Sequence, residues 1–353
     1  MRTIKVLIPI HLDNWQHSIA MCFRAIVEKT ANVQFYSFSN PLNTEDREQG
    51  AIFWKLPNVS RVSLINFPFN NYDFVHRGSA TPKNMLLERA CKVLHPKIKL
   101  IHTASMQFTH EDPYLALYKR SLLAAHVIVA CSAAVSNDVS KFIKRNPNAV
   151  IPNGVDTDFF DPAMPGDRRF NDLMIKEPFA LFLGTPTQRK RPDIFIDIAK
   201  TMPGMCFVIA GEGHTQNEKD KLKNAMRCVP NIMYIGGQPR WVVRSLLSRS
   251  AVLVFPSEAE GMPLAALEAM AMGIPILAQP KTSMPEIVKN RVTGWLLPGD
   301  DIAAWKRQIE IILAWSHEEK RSFAETTRNV VLENYTWHHY ARRYNEVYER
   351  YRD

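Results

Sequence analysis

Residues 252–278 read VLVFPSEAEGMPLAALEAMAMGIPILA. Two short apolar runs, 252–256 and 274–278, have the length and composition of buried strands. Between them comes a turn with Pro256, Ser257 and Gly261, then a run of Ala, Leu and Met that reads as a helix starting near Pro263, a residue suited to a first-turn position. Strand, turn, helix and strand in this order make a parallel unit. Leu264, Leu267 and Ala271 share one stripe of that helix, and Glu268, four residues after Leu264, falls inside it. Glu268 is also the only charged residue from Gly261 to Pro280. A carboxylate in such surroundings is costly unless something bonds it. Either protein groups satisfy Glu268 within a core helix, or the helix borders a pocket for a polyhydroxylated ligand. A second acid, Glu260, sits just ahead of the helix.

The same alternation runs along the rest of the chain. Strands are predicted at 4–10, 33–38, 73–76, 98–102, 127–131 and 149–152, and a second series at 179–184, 206–210, 232–236, 252–256 and 274–278. Helical segments fall between them, among them 18–30, 83–94, 112–125 and 193–201. Alternation of this length predicts an α/β chain with parallel sheets covered on both faces. The polar, Pro- and Gly-containing stretch 161–178 separates the two series. The expected architecture is two doubly wound, Rossmann-like domains facing across a cleft, with ligands outside the carboxyl ends of the strands. The expected divisions are 1–165, 166–335 and a terminal helix, 336–353.

Composition agrees with two ordinary domains. The chain has 353 residues, 46% hydrophobic and 22% charged, which excludes wholesale disorder. No apolar stretch is long enough to span a bilayer, and the beginning, MRTIKVLIPIHLDN, is too short and soon too polar for a signal peptide. The five cysteines are scattered and never in a CxxC spacing, which favours reduced thiols in a cytoplasmic setting. A net charge of +9 fits anionic partners. No dense basic run with interleaved aromatics marks a nucleic-acid module, so anionic substrates or an anionic membrane surface account for it instead.

Three features at predicted strand ends carry chemistry. The turn 256–263 opens a helix N-terminus, whose free amides and dipole suit a phosphate, with Glu260 at its mouth and Glu268 behind it, placed to accept a ribose diol. The loop from Gly184 to Arg191 follows a strand and ends in three consecutive cations, Arg189, Lys190 and Arg191, able to neutralise a diphosphate. His102 closes another strand; a lone strand-end histidine is as readily structural as catalytic.

Taken in order, Ile151-Pro-Asn-Gly-Val-Asp156, Gly184 with Lys190, Gly211-Glu-Gly213, Ile235-Gly236, Glu260-x7-Glu268, Pro285-Glu286 and Thr293-Gly294 closely resemble the retaining glycosyltransferases of family 4, which have the GT-B fold. The resemblance covers nearly the whole chain and is strongest from Ile151 to Pro298. It implies transfer of a sugar from a nucleotide-sugar donor to an acceptor hydroxyl, on a glycan, a lipid-linked molecule or a small molecule, with retained configuration and neither metal nor other cofactor. By that resemblance Glu260 contacts donor-sugar hydroxyls, Glu268 binds the ribose, and Gly261, Met262, Pro263 and Leu264 hold the diphosphate. Lys190 stabilises the departing phosphate, assisted by Arg189 or Arg191 beside Gly184. Ile235 and Gly236 read the base, and His102 stands near the reacting face of the sugar. Catalytic residues on this reading are Glu260, Lys190 and His102.

The chain departs from the family pattern in three places. Thr185 follows Gly184 where Arg is usual, and Arg191 stands where Gly is usual. The first-strand loop, residues 10–17, has no glycine. Residues 280–284 replace a Gly-rich turn. These departures keep two alternatives open: a same-fold nucleotide-sugar epimerase or hydrolase, and a degenerate module that binds nucleotide-sugar or glycan. Asp156-Thr157-Asp158 resembles a metal-binding DxD, but its place in a turn before Phe159-Phe160 reads as local capping. The aromatic stripe Trp337, Tyr340, Tyr344, Tyr348 reads as helix packing. Lys83, Arg89, Lys92, Lys97 and Lys99 cluster in the first domain, either as a solvated helix face or as a contact for anionic lipid, which would make the enzyme peripheral at the inner membrane face.

Overall fold

The computed structural model describes residues 3–11, 18–38, 56–62, 71–78, 82–105, 115–167, 169–213 and 215–352. The chain forms two compact units, Met1–Gly154 with Trp337–Asp353, and Val155–Thr336. Each is built on a parallel sheet, as the alternation of apolar runs and amphipathic segments predicts. No helix among the described residues is long and apolar enough to cross a membrane.

In the first unit, β1 (Ile4–His11), β2 (Val33–Phe38), β3 (Val59–Val62), β4 (Phe74–Arg77), β5 (Lys99–Ala104), β6 (Val127–Ala130) and β7 (Ala149–Val150) form a sheet in the order β3-β2-β1-β4-β5-β6-β7. All its pairings are parallel. Strand β3 has no counterpart among the predicted strands. Its sequence, VSRV, is too short and polar to announce itself. Tertiary contacts place it: the Asn58 side chain donates to the carbonyls of Val27 and Thr30, 2.9 and 2.7 Å away, and so fixes the segment against the end of the helix Ser18–Lys29. The terminal helix Trp337–Arg350 packs on Ser18–Lys29 and buries Trp337, Tyr340, Ala341, Tyr344, Val347 and Tyr348, the stripe its spacing predicts.

In the second unit the order is β10-β9-β8-β11-β12-β13, again parallel, with β8 at Phe179–Leu183, β9 at Cys206–Ala210, β10 at Ile232–Gly236, β11 at Val252–Phe255, β12 at Ile276–Ala278 and β13 at Trp295–Leu296. Its core gathers Phe182, Phe195, Phe207, Val252, Leu277 and Trp305. The two-residue strand β13, also unpredicted, is held through Trp295, which stacks on Phe323 at 5.7 Å. The chain turns one way from β8 to β9 and β10, and the other way from β11 to β12 and β13. Strands β8 and β11 are neighbours, so the loops leaving their carboxyl ends emerge side by side at the switch point of the sheet.

The first division falls after Gly154 rather than after residue 165. Residues 155–160 are tied into the second unit: the Val155 N–H donates to the Tyr335 carbonyl at 2.7 Å, and Arg328 Nη1 donates to the Phe160 carbonyl at 2.8 Å. The helix after β11 spans Leu264–Ala271, so Pro263 precedes it as the N-cap, with extended φ and ψ of −74° and 125°, rather than occupying its first turn.

Candidate functional site

The two loops at the switch point of the second unit carry the charges singled out above. After β8 the backbone passes through Gly184 at φ +128°, where no side chain fits comfortably: a Cβ would stand 3.1 Å from Lys190 Nζ. A single 3-10 turn, Gln188–Lys190, follows. It throws Arg189 and Lys190 toward the loop after β11. There Glu260 is buried at 8% exposure and forms ion pairs with Arg189 Nη1 and Lys190 Nζ, both at 3.1 Å. Ser257 Oγ donates to the same carboxylate at 2.7 Å, and the Glu260 N–H donates to Thr282 Oγ1 at 3.1 Å. Burial alone would raise the Glu260 pKa, but the charges of Lys190 and Arg189 outweigh it and hold the group below the ordinary carboxylate range. Lys190 Nζ also stands 4.9 Å over the Phe255 ring, and Arg189 donates to the Ala259 carbonyl. Glu260 and Lys190 are therefore held in place before any ligand arrives.

Arg191 takes a different course. It adopts φ 52°, the left-handed conformation in which glycine is at home. Its guanidinium is turned away from Glu260, onto Asp193 at 2.7 Å and Glu258 at 2.8 Å, with Lys281 sharing Glu258 at 3.3 Å. Arg191 thus shapes the loop, and Arg189 is the cation that accompanies Lys190.

Behind this cluster runs the helix Leu264–Ala271. The N–H groups of its first turn have no intrahelical acceptor, and neither a side chain nor an acid caps them. Among the residues expected to hold a diphosphate, Pro263 has no N–H to offer and serves by setting the chain direction into the helix. Glu268 is half-buried, and among the described residues nothing hydrogen-bonds its carboxyl. Burial, with a smaller contribution from Asp156, pushes its pKa up to about 7 against the opposing charge of Arg240. Of the two readings of this acid, the satisfied core glutamate is the one the geometry lacks partners for.

Sequence reasoning missed the surroundings of Glu268. Asp156 caps its own turn, accepting from the Phe159 N–H at 3.1 Å as its local reading predicts, and it also stands 3.8 Å from Arg240. Arg240 lies 4.5 Å over the Phe159 ring and keeps its Nε and Nη2 buried without hydrogen-bond acceptors. Ser257 and Thr282 were missed as well. The only signal for them is their place beside an acid in a turn, which many solvated loops share. At the end of β10, Gly236 has φ +68°, and the Ile235 carbonyl accepts from Gln238 Nε2 at 2.6 Å. The Glu212 carboxylate accepts from the Gly237 N–H at 3.1 Å.

His102 lies in the first unit, on the interior strand β5 between β4 and β6, and is wholly buried. Its Nδ1 receives Arg77 Nε at 3.1 Å and lies 2.8 Å from Ser121 Oγ. The Arg77 Nε carries a hydrogen and no lone pair, so Nδ1 is bare and the ring proton sits on Nε2. Burial, then the charge of Arg77, holds its pKa well below 6.5. Arg77 in turn pairs with buried Glu88. The ring is thus neutral and held at its Nδ1 edge, while its buried Nε2 has no hydrogen-bond partner. Residues 12–17 of the glycine-free first loop lie outside the described residues.

Comparisons with known proteins place the chain. Residues 166–330 match the family model for glycosyl transferases group 1, and residues 25–159 match that for glycosyltransferase family 4. A UDP-Gal:alpha-D-GlcNAc-diphosphoundecaprenol alpha-1,3-galactosyltransferase of Escherichia coli is 34% identical over 250 residues, 65% of this chain and 64% of the relative. A D-inositol 3-phosphate glycosyltransferase of Mycobacterium tuberculosis is 28% identical over 173 residues, 46% of this chain and 35% of the relative. The matched region is therefore under two thirds of the length of either relative. Among solved structures, Anabaena HepE in complex with UDP and glucose superimposes with a TM-score of 0.80 at 14% identity, covering 98% of this chain and 99% of that one, a likeness of fold.

Proposed function

We propose, for a chain that belongs to the group 1 glycosyltransferases with the GT-B fold, that the second unit binds a nucleotide-sugar and delivers its sugar to an acceptor hydroxyl with retained configuration and without a metal. The observation that carries this reading is the convergence of the two switch-point loops: Arg189 and Lys190 from one meet Glu260 from the other, ahead of a helix N-terminus and the unbonded carboxyl of Glu268.

Each group has a task that its surroundings suit. The Glu268 carboxylate accepts the two vicinal hydroxyls of the ribose. The first-turn N–H groups after Pro263 receive the diphosphate, and Lys190 with Arg189 adds the positive charge that grows in value as the phosphate departs. Glu260, kept ionised by the same two cations, accepts hydroxyls of the sugar. The acceptor oxygen bonds to the anomeric carbon on the face from which the phosphate leaves. The bond from that carbon to the phosphate oxygen breaks, and the acceptor's proton passes to the phosphate. No protein nucleophile is required, unlike the carboxylate pair of a retaining hydrolase.

The donor is a nucleoside diphosphate sugar, of the kind named in the E. coli relative and bound in a second Anabaena HepE structure, in complex with UDP-glucose. The acceptor is a sugar on a diphosphate-linked lipid, as the E. coli relative's name states for that enzyme, which brings the reaction to the cytoplasmic face of a membrane.

The test is a panel of UDP-, GDP- and ADP-sugars offered with soluble and lipid-linked acceptors in a chelator. One donor is consumed only when acceptor is present, and nuclear magnetic resonance of the product reads the retained configuration. In the same assay Glu260→Gln lowers kcat by about 100-fold while leaving nucleotide affinity within a few-fold. Donor consumption at an equal rate without acceptor would mean a hydrolase or epimerase. Tight binding with no turnover would mean a binding module.

A further inference from the structure

The helix Pro82–Leu94 of the first unit carries apolar side chains on both sides, with Leu87 and Ala90 packed beside Cys91 on the core. Its inward side carries Cys91 and Glu88, both buried, with Glu88 paired to Arg77. Its outward side carries Leu86 and Val93, seven residues apart and so on one face, at 70% and 79% exposure, with Leu94 beside them at 49%. Single exposed leucines need no explanation, but three large apolar side chains exposed together on one helix, with Arg89 between them, do.

Charge surrounds this stripe. From Pro82 to Leu100 the sequence holds five cations and one acid, and that acid is the buried Glu88. Arg89 and Lys97 are exposed. Lys92, Lys99 and Arg145 converge on His126, where together with burial, the larger cause, they lower the imidazole pKa. Arg145 spends its hydrogen bonds on the carbonyls of Ala125 and His126, at 2.7 Å each, so its charge is not cancelled. A protein partner of ordinary composition would answer the apolar stripe or the cations. A surface with anionic headgroups above an apolar interior answers both at the depth each occupies.

We infer that this face is a docking surface for an anionic lipid bilayer, with Leu86, Val93 and Leu94 entering the headgroup–acyl boundary and Arg89, Lys92 and Lys97 resting among the headgroups. The inference does not depend on the proposed acceptor, since it uses no residue of the sugar-transfer site.

Co-sedimentation of the full chain with vesicles tests it. Vesicles of phosphatidylcholine alone and of an equal mixture with phosphatidylglycerol are compared at 0.1 and 0.5 M salt. The protein pellets with the anionic vesicles at low salt, weakly at high salt, and little with the zwitterionic ones. Leu86→Ser with Val93→Ser lowers the partition coefficient about tenfold or more, as does Arg89→Glu with Lys97→Glu. Circular dichroism and the melting temperature establish that both variants are folded. Nucleotide binding and transfer to a soluble acceptor remain at the parent level in both, which separates failure of docking from failure of the enzyme reading. Equal binding to both vesicle types, or undiminished binding by the variants, overturns the inference. So does a concentration-dependent dimer that the same substitutions dissolve, which would assign the face to a second copy of the chain.

Discussion

Glu268 changes charge near neutrality, so its role is open to titration. If the ionised form accepts the ribose diol, nucleotide affinity strengthens as pH rises through about 7, with about a tenfold gain from pH 6 to pH 8. Calorimetric titration across that range checks this, and Glu268→Gln flattens the profile at the weaker end. The ligand-free protein shows the opposite face of the same shift. A carboxyl raised from 4.5 to about 7 is free of penalty while protonated and loses stability as pH climbs between those values. Glu268→Gln is therefore more stable than the parent at pH 8, by at most about 3 kcal/mol, and equal to it near pH 4.5. Arg191 offers a second test. Left-handed backbone costs a non-glycine residue about 1 kcal/mol, and its exposed pairs with Asp193 and Glu258 return a comparable amount. Denaturant unfolding should place Arg191→Gly within about 1 kcal/mol of the parent, with Arg191→Ala less stable than Arg191→Gly by about that amount. Glu268 was legible in the sequence because an isolated charge in an apolar run must be explained, and Glu260 because it sits just ahead of that helix. Asp156 and Arg240 were not, because their partner lies more than a hundred and about thirty residues away in sequence respectively.

Among the elements, the terminal helix Trp337–Arg350 is fastened by a buried polar chain as well as by its stripe. His76 Nδ1 meets Tyr348 Oη at 2.6 Å, His76 Nε2 meets Thr103 Oγ1 at 2.8 Å, and Thr103 Oγ1 meets Tyr344 Oη at 2.7 Å. Burial drives the His76 pKa down to about 3. Between pH 6.5 and 3 the unfolded chain binds a proton there that the folded one refuses, so stability falls as the solution is acidified through that window. The cost is up to about 5 kcal/mol for this residue. Hydrogen exchange followed from pH 7 to pH 4 should show the amides of β4 and of the terminal helix losing protection together. Tyr348→Phe, which strips a partner from His76, lowers stability by about 1–3 kcal/mol at pH 7. Helices and buried strands announced themselves through their periods. The short strands β3 and β13 did not, because neither sits in an apolar run that would mark a buried strand, and Asn58 and Trp295 place them.

At the scale of the whole molecule, the chain visits the first unit, builds the second and returns to the first for its last helix. Removing residues 337–353 takes Tyr340, Tyr344 and Tyr348 out of the first unit, all of them at or below 3% exposure. The shortened chain should lose the unfolding transition of the first unit in calorimetry while residues 155–336 keep a cooperative transition of their own. Sequence alone determined the class of each unit, since alternating apolar runs and amphipathic segments allow little besides parallel sheets between helices. It also marked the two acids and the three consecutive cations of the candidate site, among which the family resemblance singled out Lys190. Tertiary structure decided the rest. It decided which cation stands beside Lys190, because the left-handed turn at Arg191 sends that side chain to Glu258. It decided that His102 is enclosed, because burial on an interior strand depends on the elements packed over it. And it decided that Leu86 and Val93 face water, because a helical stripe shows which residues lie together and leaves open the side on which the core will form.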